Sequence, residues 1–119
     1  MFSAGDSDTS QVVDLKDGDS VPSNSMKIDT ESLTSLVERC RLSNLDFVKM
    51  DIEGAEIEAI QGAAKLPAHF RPRYAIASYH IVKGQKTAAI LPELFSHLGY
   101  ETCSGNVRHL TTYAWPAIN

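Results

Sequence analysis

The stretch Phe47-Val48-Lys49-Met50-Asp51-Ile52-Glu53-Gly54-Ala55-Glu56 decides how this chain is read. It is mostly apolar at first, turns acidic around one glycine, and then passes into helical spacing at Ile57, Ile60 and Ala64. An apolar run that ends in a glycine turn and enters a helix is the pattern of a buried strand delivering polar groups to one end of a sheet. Phe47, Val48, Met50 and Ile52 are too continuous for a strand with one wet face. They predict burial on both faces, and hence parallel pairing, over residues 46–52.

Working outward, Leu33, Leu36, Val37 and Cys40 share one helical face, which predicts a helix over about 31–41 capped by Asp29 or Thr30. Met26 and Ile28 suggest a short strand before it. Residues 1–25 are polar, with Val12, Val13 and Leu15 as material for an edge strand or hairpin. The acidic run Asp14–Asp19 lacks the alternating ligands and distal glutamate of an EF-hand and reads as a solvated turn. Downstream, the helix after Gly54 must stop near Pro67, since proline removes a donor and restricts the residue before it. Tyr74–Ile81 is the next strand, at the distance a right-handed βαβ crossover needs. Ile90, Leu91, Leu94, Phe95 and Leu98 form another helical stripe, with Pro92 favouring a start at the proline. Tyr100–Cys103 and Val107–Trp115 then flank Ser104-Gly105-Asn106, read as a hairpin turn with Gly105 at positive φ. The fold class is α/β: parallel strands with helices and a C-terminal antiparallel hairpin.

The 119 residues suit a single domain, in which 1–25 is a polar lead and 26–119 the layered unit. The net charge is -4 and the basic residues are scattered, so no footprint for nucleic acid exists. No apolar run approaches membrane-spanning length and no signal-peptide pattern is present, so the expectation is a soluble, cytoplasmic protein. Cys40 and Cys103, each in an apolar context, are expected to be buried free thiols.

Val48-Lys49-Met50-Asp51-Ile52-Glu53-Gly54-Ala55-Glu56, followed by Ile60-Gln61-Gly62-Ala63, resembles the signature of FkbM-type methyltransferases. Met26–Leu33 is similar to the segment that precedes that signature, and the later strand, helix, Gly99-Tyr100 and hairpin fall in the family's order. The resemblance implies a class I methyltransferase fold with a Rossmann-like seven-stranded sheet, S-adenosylmethionine (SAM) as cofactor, and this chain as the C-terminal half. The glycine-rich SAM loop of such enzymes has no counterpart here, because the seven glycines, at 5, 18, 54, 62, 84, 99 and 105, form no G-x-G. Residues contacting the cofactor are therefore left unassigned. Where the family usually carries a glutamate shortly before the histidine of the later strand, this chain has Ser78, while His80 remains.

Ligands of open α/β sheets bind beyond the carboxyl ends of the strands, which makes Asp51, Glu53 and His80 the candidate catalytic residues. Methyl transfer to a hydroxyl needs countercharge for the sulfonium and a base for the proton, and Asp51 or His80 is suited to be that base. Glu53 and Glu56 also suit a helix start, where the macrodipole favours negative charge. Lys49, inside an apolar strand, is expected to pair with a carboxylate. A divalent metal on Asp51, Glu53 and His80 is chemically reasonable, but no metal is assigned from the sequence. Ser78 and His80 lack the orienting carboxylate and elbow of a nucleophilic pair.

Two functions follow from these readings. One is the C-terminal part of a SAM-dependent methyltransferase acting on an oxygen of a small molecule or sugar. The other is a non-enzymatic, shortened relative that self-associates or binds a partner chain through the exposed edge of the 46–52 strand.

Overall fold

The computed structural model describes residues 29–118, together with the backbone of three short strands upstream. These are β1 (Phe2–Ala4), β2 (Ser10–Val12) and β3 (Ser25–Met26), which pair antiparallel in the order β2-β1-β3. They bear out a strand pairing near Val12 and a strand at Met26. The Asp14–Asp19 turn lies outside the described residues.

Helix α1 (Leu33–Arg39) begins at Ser32, whose hydroxyl accepts the Ser35 N–H at 3.0 Å. This is the ordinary serine cap, two to three residues inward of the expected Asp29 or Thr30. Strand β4 (Phe47–Met50) leads into α2 (Glu56–Ala63), and β5 (Arg73–Ala77) returns parallel to β4 with Val48 opposite Tyr74. The strand–helix–strand order is thus as the apolar spacing predicted, but β5 ends at Ala77 rather than running on to Ile81, so Ser78, Tyr79 and His80 lie beyond the strand. Gly62 is where α1 and α2 meet: a Cβ there would sit 3.3 Å from Ser32 Cβ, and Thr34 Oγ1 donates to the Gly62 carbonyl at 2.9 Å. The small residues of α2 therefore serve contact with another helix as well as with the sheet.

Beyond β5, a two-residue ribbon of β6 (Ile81–Val82) and β7 (Gln85–Lys86) turns at Lys83-Gly84, both at positive φ. Helix α3 (Thr87–His97) follows directly. It starts five residues before Pro92, contrary to the expectation of a start at the proline. The reason lies in the main chain: the Ser78 and His80 carbonyls accept the Ala88 and Thr87 N–H groups at 3.0 and 2.9 Å. These carbonyls satisfy helix-end donors without a side-chain cap.

Strands β8 (Tyr100–Asn106) and β9 (Leu110–Pro116) complete a sheet of order β4-β5-β9-β8, in which only β4 and β5 are parallel. The architecture is mixed α/β with a single parallel pair rather than a largely parallel sheet. The hairpin turn is Val107-Arg108-His109 rather than Ser104-Gly105-Asn106; Gly105 lies within β8 opposite Thr111, and its φ is not positive. Seven paired residues on each side outweigh the local glycine preference.

The core lies between the sheet and helices α2 and α3. Ile60, Ile76, Leu91 and Phe95 are fully buried, and Val48, Met50, Ile57 and Leu94 pack against them. Tyr74 sits 5.1 Å from Phe95 and 5.6 Å from Tyr100, ring centroid to centroid. The Tyr100 hydroxyl finds its partner in the Pro72 carbonyl at 2.7 Å, as a buried phenol must. Arg71 stacks over the Tyr100 ring and donates to the Gly99 carbonyl at 3.0 Å just past the end of α3.

The opposite face of the sheet is open among the described residues, which corrects the expectation for the signature strand. Phe47 is 58% exposed and Lys49 is exposed, while Val48 and Met50 are half-buried, so β4 alternates. The helices α2 and α3 cover one side only, and an apolar residue on the other side stays wet whatever its neighbours in sequence. Cys40 and Cys103 are free thiols but exposed, one just past α1 and the other on the edge strand β8.

Candidate functional site

The site is assembled where β4 and β5 end. After β4 the chain makes a tight turn, Ile52-Glu53-Gly54-Ala55, closed by the Ala55 N–H to the Ile52 carbonyl at 3.2 Å. Both central residues are left-handed, Glu53 at φ 55° and Gly54 at φ 101°. Glycine adopts this freely; for glutamate it costs about 1–2 kcal/mol. Space does not require the glycine, since a Cβ on Gly54 would meet Val82 at an ordinary 3.5 Å. Its dihedral does.

Glu56 holds this turn. Its carboxylate accepts the Ile52 N–H at 3.0 Å and the Gly54 N–H at 2.9 Å, and the residue is fully buried. Reading it as an acidic helix start missed this role. The signal was present: Glu56, Ile60 and Ala63 form the buried face of α2, at spacings of four and three, so the glutamate stands at a core position.

His80 comes from the segment after β5 and leans into the same place, its side chain only 9% exposed. Its Nδ1 lies 3.2 Å from Glu56 Oε1, and its Nε2 lies 3.2 Å from Glu53 Oε2 and 3.7 Å from Asp51 Oδ1. Both ring nitrogens are buried, and neither makes a well-directed hydrogen bond despite these near carboxylates. Asp51, Glu56 and His80 each offer a ligand atom within 4.8 Å of the others. The structure therefore brings together all three residues singled out in the sequence, and adds Glu56.

Tyr79 also enters unannounced. Its hydroxyl donates to Asp51 Oδ1 at 3.3 Å, and its ring packs on His80 at a centroid distance of 4.1 Å. Desolvation first, then the negative charges of Asp51 and Glu53, push the Tyr79 phenol above the usual tyrosine range. That keeps the hydroxyl a donor. No spacing rule finds this pair, because the two residues belong to different elements.

Ser78 faces elsewhere. It is buried, and its Oγ accepts from Thr112 Oγ1 at 2.9 Å, which in turn lies 2.8 Å from Ser104 Oγ. This hydroxyl chain ties β8 and β9 to the end of β5. Lys49 has no carboxylate within 4 Å among the described residues, contrary to the pairing expected of it; being on the open face, its ammonium stays hydrated. With Arg108 and His109 it rims a depression of about 290 Å³ floored by Ala75 and Ala77, which reaches Asp51. His69 and His97 stand apart on the surface, the latter only loosely near Glu93 at 3.9 Å.

An acidic turn and a histidine converging beyond neighbouring parallel strands is the ligand-site arrangement of open α/β sheets. Residues 2–102 match the family model described as the methyltransferase FkbM domain, and the chain belongs to that family. No curated protein and no solved structure matches it. Among the described residues no helix is long and apolar enough to cross a membrane.

Proposed function

We propose that this chain provides the acceptor side of a SAM-dependent methyl transfer to an oxygen of a small molecule or sugar. The observation that carries the reading is the convergence of Asp51, Glu53 and His80 beyond β4 and β5 in a member of the FkbM family. In this reading the sheet is the second half of a class I methyltransferase sheet, completed by a glycine-rich segment that binds most of the cofactor.

The donor set fits the charged end of SAM. Three carboxylates surround His80, and none has a lysine or arginine within 4 Å among the described residues, so the edge favours a cation such as a sulfonium. SAM, when bound, supplies an electrophilic methyl group. Asp51 is the reachable base, with its side chain 41% exposed. It accepts the hydrogen bond of an incoming hydroxyl and takes its proton, while the Tyr79 hydroxyl steadies the carboxylate from the other side. Glu53 and His80 set the charge beside it, and the depression over Ala75 and Ala77 gives a small acceptor an apolar bed. Calorimetric titration with SAM and melting curves test this. Ligand at 100 times its Kd should stabilise the protein by about 2.7 kcal/mol. Asp51→Asn should keep that stabilisation and lose methyl transfer. The absence of both a binding heat and a Tm rise at millimolar SAM would overturn a self-sufficient methyltransferase.

A second reading has its own support in β4, the edge strand of the four-stranded sheet, which carries the exposed Phe47. An unpaired strand edge invites another chain, and a non-enzymatic module would use it for self-association. A strictly monomeric mass in light scattering at high concentration would eliminate this reading.

A further inference from the structure

The geometry points to a divalent-cation site on His80, with Asp51 and Glu53 as carboxylate ligands and Glu56 fixing the ring. It concerns binding alone and does not rest on methyl transfer.

His80 carries the inference. Its side chain is 91% buried, yet Nδ1 and Nε2 both lack a well-directed hydrogen bond. A buried imidazole without partners is costly, and an aligned cation on one nitrogen removes that cost. The two nitrogens are not equivalent. Nδ1 faces Glu56, whose oxygens are already engaged by the Ile52 and Gly54 amides. Carboxylate on one nitrogen and metal on the other is the arrangement that orients metal-bound histidines generally.

Nε2 faces Glu53 and Asp51 at 3.2 and 3.7 Å. Two ligands each about 2.1 Å from one cation, at angles between tetrahedral and octahedral, stand about 3.0–3.4 Å apart. Glu53 already stands at that separation. Asp51, at 3.7 against 3.2 Å, stands half an ångström further, and its exposed side chain is free to rotate toward the same point. Charge agrees with geometry: three carboxylates converge on one imidazole, and no lysine or arginine lies within 4 Å of them among the described residues. One imidazole with two carboxylates suits a first-row divalent cation such as Mn²⁺ or Zn²⁺ better than a softer metal.

The experiment is titration of the metal-free full chain with Mn²⁺ and with Zn²⁺ by calorimetry, joined to Mn²⁺ broadening of the histidine ring signals. One equivalent should bind, with His80 broadened before His69, His97 and His109. Asp51→Asn and Glu53→Gln should each weaken binding at least tenfold, and Glu93→Gln, beside the exposed His97, should leave it unchanged. Circular dichroism establishes that the variants remain folded. No binding at millimolar cation would overturn the site and leave His80 a histidine merely buttressed by carboxylates. Equal affinity in the Asp51→Asn/Glu53→Gln double variant, or first broadening at another histidine, would overturn it equally.

Discussion

Replacing Glu56 with alanine should destabilise the fold far more than a change at a helix start would. A surface carboxylate in the first helical turn contributes about 0.3–1 kcal/mol through the macrodipole. Glu56, however, is fully buried and accepts two backbone N–H groups of the 52–55 turn. Without it those amides lose charge-assisted bonds, and each unsatisfied buried donor costs about 1–3 kcal/mol. The turn is only half-buried, so water recovers part of this, and the expected loss for Glu56→Ala is about 2–4 kcal/mol. Glu56→Gln keeps one acceptor oxygen and should cost about half as much. Against a total stability of about 5–15 kcal/mol, the difference is easily read from urea midpoints at unchanged m. Amide exchange at Ile52 and Gly54 should quicken selectively in both variants. A loss below about 0.5 kcal/mol for the alanine variant, or equal losses for alanine and glutamine, would refute the role given to the carboxylate.

Glu53→Gly should leave stability within about 1 kcal/mol of the parent, since glycine relieves the left-handed strain at φ 55° while the contact of the carboxylate with His80 at 3.2 Å is lost; urea midpoints measure it. Phe95→Ala should cost about 3–5 kcal/mol by the same assay, as the ring is fully buried between Tyr74 and Tyr100. Alkaline stability should depend on Tyr74, whose phenol is pushed well above the usual range, first by burial and then by Tyr100. The folded state holds that proton more tightly than the unfolded chain, so its contribution is whole below about pH 10 and is lost as pH rises toward the folded value. Tyr74→Phe should flatten the decline in urea midpoint above pH 10, and an unchanged slope would contradict the assignment.

The order of elements was legible because each of α1, β4, α2, β5 and α3 writes its inward face into the sequence. The Asp51–Glu53 turn and His80 were legible because parallel neighbours must end on the same side. Other features depend on partners distant along the chain. The start of α3 is set by carbonyls of Ser78 and His80, which no local pattern around Pro92 contains. The turn of the last hairpin is set by the whole β8–β9 register, so Gly105 was a misleading local cue. The ribbon at Lys83-Gly84 has two residues per strand, too few for periodicity to register. The open face of β4 is a matter of which layers exist, and an apolar run cannot distinguish a covered face from a bare one. Glu56 is the instructive case: its position in the helical period was correct for a core residue, and its charge disguised it.

The segment Ser78–His80 serves two structures at once. Its carbonyls anchor the first turn of α3, while the His80 ring and the Tyr79 hydroxyl reach the acidic turn. A molecule that shifts His80 even slightly must therefore tug on the Thr87 and Ala88 amides, several residues along the chain from the ring. Amide signals of Thr87 and Ala88 become natural reporters of occupancy, readable without labelling any ligand. The same linkage limits engineering: grafting a new side chain at 80 also rewrites how α3 is moored.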